Sequence, residues 1–265
     1  MGNNFEQIIY EVRDNIVKIT MNRPAKLNAM TPKMEKELRT AFQQVQDDQN
    51  ARVLIITGAG QRGFCSGEDI SELIHLEAKR PLPKPGELVP TPAPSAGTPR
   101  ALADILEKPV IAAVNGVCAG AGYGLALASD IRIGSENARF FHAYMKRALV
   151  ASAETWYLPR IIGLGAAMYH ILNSDEINAE EALRLNLISK LVPADKLDDE
   201  VFALASKLAA FDPGAVKFTK KAIRKGISQD LTSVMEYVSF ARIWANLSGA
   251  NLDALEGFLE KKKGK

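Results

Sequence analysis

One stretch constrains this chain more than any other: Asn115-Gly116-Val117-Cys118-Ala119-Gly120-Ala121-Gly122-Tyr123-Gly124-Leu125. It follows Val110-Ile111-Ala112-Ala113-Val114, an unbroken apolar run of strand length. After it come Leu125-Ala126-Leu127-Ala128, small and helix-prone, and then the strand-like Ile131-Arg132-Ile133. The order predicts a strand-to-helix turn within alternating β and α elements. Gly120, Gly122 and Gly124 would let the backbone pass close to a neighbour. The N–H groups at the helix start would face that neighbour, with the positive end of the dipole behind them. Such a turn suits an anion, or an oxygen that gains charge during a reaction. A tight turn whose glycines serve packing alone has the same pattern.

A second turn of this kind is predicted at Gly63-Phe64-Cys65-Ser66-Gly67-Glu68-Asp69-Ile70, after the apolar strand Val53–Thr57. Upstream, residues 5–21 read as a hairpin turning at Arg13-Asp14-Asn15. Thr31-Pro32 then opens an amphipathic helix over 32–48, carrying Met34, Leu38, Phe42 and Val45 on one face. Seven of the 13 prolines fall within 79–100, which excludes regular structure there and leaves a surface insert or a flap over a site. Helix is expected to resume over 101–107. Short strands are expected at 138–141 and 187–192, a helix capped by Asn178 between them, and amphipathic helices over 195–209, 212–226 and 230–247. The chain therefore reads as an α/β core, 1–195, followed by a helical region, 196–265, of the kind that packs against other subunits.

Charge narrows the function. Lys and Arg number 33 against 31 Asp and Glu, which gives no nucleic-acid surface. Cys65 and Cys118 lack metal-ligand spacing and read as reduced, buried thiols of a cytoplasmic protein. No apolar run reaches membrane-spanning length.

Three segments together resemble one family. They are Asn22-Arg23-Pro24 with Leu27-Asn28-Ala29, Phe64-Cys65-Ser66-Gly67-Glu68-Asp69-Ile70, and Pro109–Gly116 leading into the glycine-rich turn. In this order, over nearly the whole chain, they are similar to the crotonase (enoyl-CoA hydratase/isomerase) superfamily. The resemblance implies a spiral of ββα turns with a C-terminal helical region that builds trimers or hexamers. It implies an acyl-CoA thioester as substrate and no separate cofactor or metal. It also implies an oxyanion hole made by the backbone N–H groups of Glu68 and Ala121, where Ala121 replaces the usual glycine. Gly120 and Gly124 would flank the acyl group. The backbone of Ser66, Gly67, Asp69 and Ile70 would line the adenine and pantetheine end, and Lys26 and Lys261 would meet the phosphates.

The sequence departs from the family where hydration needs acid and base. The first family glutamate would stand at Gly124 and the second at Tyr144, so both carboxylates are missing. The dehalogenase's nucleophilic Asp has no counterpart around Ala151-Ser152-Ala153-Glu154 either. Tyr144 remains as a proton donor or a pocket wall, and His142 as a base or a structural residue. Glu154 remains as a replacement carboxylate, although a helix carboxylate ordinarily faces water. Tyr123 and Trp156 would shape a pocket for an aromatic or alicyclic acyl group, or else belong to a core. Three readings stand: an enzyme working through a thioester enolate without the two-glutamate mechanism, a non-catalytic acyl-CoA binder, and a hydratase with replaced acid/base groups.

Overall fold

A computed structural model describes residues 5–78, 97–142, 144–247, 249, 251–252 and 255–256. The chain opens with the hairpin β1 (Ile8–Arg13) and β2 (Ile16–Met21), turned by Asp14 and Asn15 in the left-handed region. Helix α1 (Pro32–Asp47) follows, its first turn closed by the Thr31 hydroxyl accepting from the Met34 N–H. Then come β3 (Val53–Gly58), β4 (Gly63–Cys65) and α2 (Ile70–Ala78). Helix α3 (Thr98–Ile105), β5 (Val110–Val114), β6 (Val117–Ala119) and α4 (Gly120–Ala128) lead to the middle of the chain. Next are β7 (Ile131–Ser135), β8 (Arg139–Phe141), α5 (Glu154–Ile162), α6 (Leu164–Asn173), β9 (Glu176–Asn178) and α7 (Ala179–Arg184). The chain continues with β10 (Lys190–Val192), α8 (Leu197–Ala209), α9 (Pro213–Gly226) and α10 (Leu231–Leu247).

Successive strands alternate between two sheets. One has the order β1-β2-β3-β5-β7-β10 and the other β4-β6-β8-β9. Each passage through β3–β4, β5–β6 and β7–β8 crosses from the first sheet to the second and then enters a helical segment. This is the expected ββα spiral. Beyond the initial hairpin the first sheet is parallel, and both faces of its central strands are covered, which is why β3 and β5 are continuous apolar runs. On one face lies the main core with Leu38, Phe42, Phe64, Tyr123 and Phe140. On the other, α8 lays Leu197, Val201 and Ala205 against Val53, Ile55, Ile111 and Ile133.

Two local expectations are corrected. The glycine-rich segment is not a plain strand-to-helix turn: β6 intervenes, and α4 starts at Gly120, so its glycines lie inside the helix. Helix α3 starts at Thr98 rather than 101, because Pro99 sits in its first turn, where a missing N–H costs nothing. Strand β9 gives no sequence signal, being three residues long. The remainder of the proline-rich insert, 79–96, lies outside the described residues.

Candidate active site

The two glycine turns meet. β4 and β6 are parallel neighbours, with Cys65 opposite Cys118, so the chain leaves both strands at the same end. Gly67 takes a φ of 95° and Gly120 a φ of 49°, both in the left-handed region. A side chain begun at Gly67 would lie 3.1 Å from the Ala119 carbonyl oxygen, and one begun at Gly120 would lie 3.6 Å from the Gly67 Cα. Beneath them, Gly122 rests directly on Cys65, where an added Cβ would fall 2.4 Å from the Cys65 carbonyl oxygen. No side chain caps the start of α4. Ala121 lies in its first turn with ordinary helical backbone, so alanine costs nothing there; the left-handed strain falls on Gly120 instead.

The Arg23–Met30 segment holds the first turn in place, a role sequence reasoning missed. The Leu27 carbonyl accepts from the Ser66 N–H at 3.0 Å, the Met30 N–H donates to the Gly67 carbonyl at 2.8 Å, and the Asp69 N–H donates to the Met30 carbonyl at 2.8 Å. Glu68 thus forms a parallel bridge with Met30 through its neighbours, which turns its own N–H toward the opposite side. The Asn28 and Asn115 side-chain amides both donate to the Gly63 carbonyl, at 2.7 and 3.2 Å, and tie the loop before β4. Their positions in the Leu27-Asn28-Ala29 and Val114-Asn115-Gly116 motifs were the available signal.

Asp69 shares in this bracing. Its carboxylate accepts from Ser71 and pairs with Arg23 at 3.0 Å, and these bonds hold its pKa below the usual carboxylate value. Its side chain is a strut of the turn, which leaves the expected backbone contact of 66–70 unaffected. Ser66 is half-buried, with its hydroxyl donating to the Lys26 carbonyl at 3.3 Å. Glu68, Ile70 and Lys26 are exposed beside it. Lys261 lies outside the described residues.

The other wall comes from the segment after β8. The Tyr144 hydroxyl lies 3.8 Å from where a side chain at Gly120 would begin. Burial, and then the negative charges of Glu154 and Glu68, push its phenol well above the ordinary range. Glu154 is 0% exposed, which corrects the expectation of a solvated helix carboxylate. Its burial face is shared with Leu158 and Ile162 at successive four-residue steps on α5, a spacing readable from the sequence. Burial raises the Glu154 pKa to about 7, although the Tyr144 hydroxyl and the Ser152 backbone pull it down. Tyr144 influences the carboxyl without a well-formed hydrogen bond, since neither carboxyl oxygen has a partner of normal geometry.

Position 124 is closed. A Cβ on Gly124 would lie 2.9 Å from Pro99 Cγ and 3.0 Å from Ala153 Cβ, so α3 and the start of α5 fill the space of the first family glutamate. Trp156 is likewise not in the site: it is 51% exposed, on the face of α5 away from Glu154, with Arg160 stacked 3.5 Å above its ring. Tyr123 is a core residue, its ring centroid 5.2 Å from that of Phe140 and 5.0 Å from that of His142. Burial, and then His170, lower the His142 pKa to about 4, so the ring is neutral at physiological pH. Two clefts of about 250 and 460 Å³ lie elsewhere, one between α1 and α9 and one beside α8, and neither is lined by the two turns.

Backbone donors on one side and a titratable carboxyl on the other suit an oxygen that becomes negative while a proton moves nearby. Relatives agree with that class. The family model for enoyl-CoA hydratase/isomerase matches residues 11–265. A short-chain-enoyl-CoA hydratase of Clostridium acetobutylicum is 34% identical over 97% of this chain and 95% of its own. A 1,2-epoxyphenylacetyl-CoA isomerase of Escherichia coli is 35% identical over 97% of both chains. A crystal structure of enoyl-CoA hydratase from Bacillus anthracis superposes with a TM-score of 0.86 at 31% identity, covering 97% of both chains. The chain belongs to the enoyl-CoA hydratase/isomerase family and has the crotonase fold. It is an enzyme of the crotonase type, and no helix among its described residues is long and apolar enough to cross a membrane.

Proposed function

We propose that the protein processes an acyl-CoA thioester through an enolate, with Glu154 as its single acid/base carboxyl. The thioester oxygen sits between the backbone N–H groups of Glu68 and Ala121. The α-proton passes to the Glu154 carboxylate, the C–H electron pair moves into the thioester, and the enolate oxygen takes up the charge. Glu154 then returns the proton to the same carbon or, in an enoyl group, to a conjugated one. Tyr144 stands between the carboxyl and the Gly120 turn and donates to whichever oxygen carries charge. Lys26 meets the CoA phosphates as a point charge. The outward apolar residues Phe240, Ile243, Trp244 and Leu247 of α10 form a surface for self-association as a trimer or hexamer.

The observation that carries this reading is the pairing of a fully buried Glu154, its pKa raised by burial to about 7, with a closed position 124. Two carboxylates on opposite sides of a water have no place here, whereas one carboxyl moving one proton does. The test is deuterium uptake from D2O into a panel of acyl-CoA thioesters, read by mass spectrometry. Exchange should fall by about 10²–10⁴-fold in Glu154→Gln, the usual contribution of a positioned acid/base group. Water addition to a linear enoyl-CoA that survives both Glu154→Gln and Tyr144→Phe would refute the assignment. Tight CoA binding with no exchange on any thioester would make the protein a binder.

A further inference from the structure

Around Glu154 lies a set of buried polar groups of which the mechanism above uses only the carboxyl. The Tyr123 hydroxyl, both His142 ring nitrogens and both Glu154 carboxyl oxygens are shut from solvent and have no hydrogen-bond partner. Buried polar atoms are ordinarily paired, and leaving one unpaired costs about 1–3 kcal/mol, so such a cluster needs a reason. Here the groups sit on elements in direct contact. Gly124, the residue after Tyr123, packs on Ala153, the residue before Glu154. The Tyr123 ring lies against His142, two residues before Tyr144. Tyr123 is 0% exposed, as is Glu154, so no bulk water competes for either.

We propose that Tyr123 is a positioning residue: its hydroxyl is the donor that receives the Glu154 carboxylate whenever Glu154 has given up its proton and Tyr144 is engaged with substrate. The inference rests on Glu154 as the acid/base group. An ionised carboxylate enclosed in protein needs donors, and a phenol is one that stays protonated throughout. Burial, and then the charges of Cys118 and Glu154, hold the Tyr123 phenol well above its ordinary range, so it stays protonated beside the carboxyl. Four other groups near the pair do not serve. Cys118 on β6 is a weak donor with a thiol pushed well up by burial. Arg132 on β7 is committed to the backbone carbonyls of Leu187, Ser129 and Ala126. Glu68 faces Tyr144 with charge of the wrong sign. His142 is a neutral ring stacked 5.0 Å from the Tyr123 ring, its pKa lowered by burial and then by His170, and it offers a single N–H.

The test reads Glu154 directly, by ¹³C NMR titration of glutamate-labelled full-length protein, with the signal assigned through Glu154→Gln. In Tyr123→Phe, which removes only an unpaired hydroxyl, the Glu154 midpoint should move up by half a unit or more while the melting temperature holds or rises. A fluorinated tyrosine placed at 123, a stronger donor of the same shape, should move it down, and this second variant decides the matter if the first folds poorly. A midpoint unmoved by both changes overturns the inference. A native midpoint in the ordinary carboxylate range overturns it together with the acid/base role of Glu154. Absence of acyl-CoA exchange with the shifts present removes the proposed reaction but leaves the Tyr123–Glu154 coupling standing.

Discussion

The turn side of the site and its Tyr144–Glu154 side are built differently. The turns are backbone held by backbone: Gly67 against Gly120, Gly122 against Cys65, and Met30, Leu27 and Asn28 tied across to the first loop. Position there is fixed by close backbone contacts and by hydrogen bonds from the neighbouring segment. On the other side Glu154 and Tyr123 are fully enclosed, yet the carboxyl of the one and the hydroxyl of the other are left unpaired. The first arrangement suits a task in which donors must not move, because preorganised dipoles act without reorganising. The second suits a task in which a group changes charge, since no fixed set of partners serves both states of a carboxyl.

Changing Gly122 strains this contrast most. In Gly122→Ala the new methyl meets the Cys65 carbonyl oxygen at 2.4 Å and the Cys65 Cβ at 2.5 Å, so β4 and α4 must separate. Overpacking of this kind costs about 1–3 kcal/mol. If the turns form the proposed hole, the exchange rate should also drop by about 10²–10³-fold, as when an oxyanion donor is lost. The Glu154 midpoint should not move. Denaturant melts and the deuterium assay together check this. Full exchange by a destabilised variant would show that the turn spacing matters for packing only.

Glu154→Gln probes the opposite side through pH. The folded pKa of Glu154, about 7, lies above its ordinary value. Its contribution to stability is therefore complete below the unfolded pKa and lost as pH rises through about 7. His142, lowered to about 4, works in the other direction, with stability present at neutral pH and lost as pH falls through about 4. The two oppose each other in wild type, so the difference between wild type and Glu154→Gln isolates the carboxyl. Relative to the wild type, the variant should gain roughly 3 kcal/mol between pH 4 and pH 8. Urea melts at both pH values measure it, and a pH-independent difference would mean an ordinary carboxylate.

The same contrast explains what could be read in advance. Apolar runs such as Val110–Val114 and the Thr31 and Asn178 caps report local requirements, and these elements form where expected. The turn side is local in this sense, because a backbone donor needs only the right turn. The second side depends on which segments meet. Glu154 and Trp156 stand two residues apart on α5, yet one is sealed in the core and the other carries Arg160 in solvent. Leu158 and Ile162 reveal the buried face only once the helix is known to start at Glu154. The closure of position 124 depends on Pro99, 25 residues upstream, and no local pattern in either segment reports that contact.

Lys26 offers the smallest effect and the sharpest check on whether the turn side binds as well as polarises. Its side chain is exposed, but its carbonyl accepts from the Ser66 hydroxyl, so it is tied to the loop that carries Glu68. An exposed charge pairing with a phosphate contributes about 0.2–1 kcal/mol, so Lys26→Ala should raise KM for a CoA thioester roughly two- to five-fold with kcat unchanged. The effect should shrink with added salt, because exposed charges are screened. It should vanish for a pantetheine thioester lacking the nucleotide phosphates, since nothing is then left for the ammonium to meet. A fall in kcat with both substrates would instead mean that residue 26 acts through the Ser66–Gly67 backbone, and the phosphate contact would have to be sought on another residue.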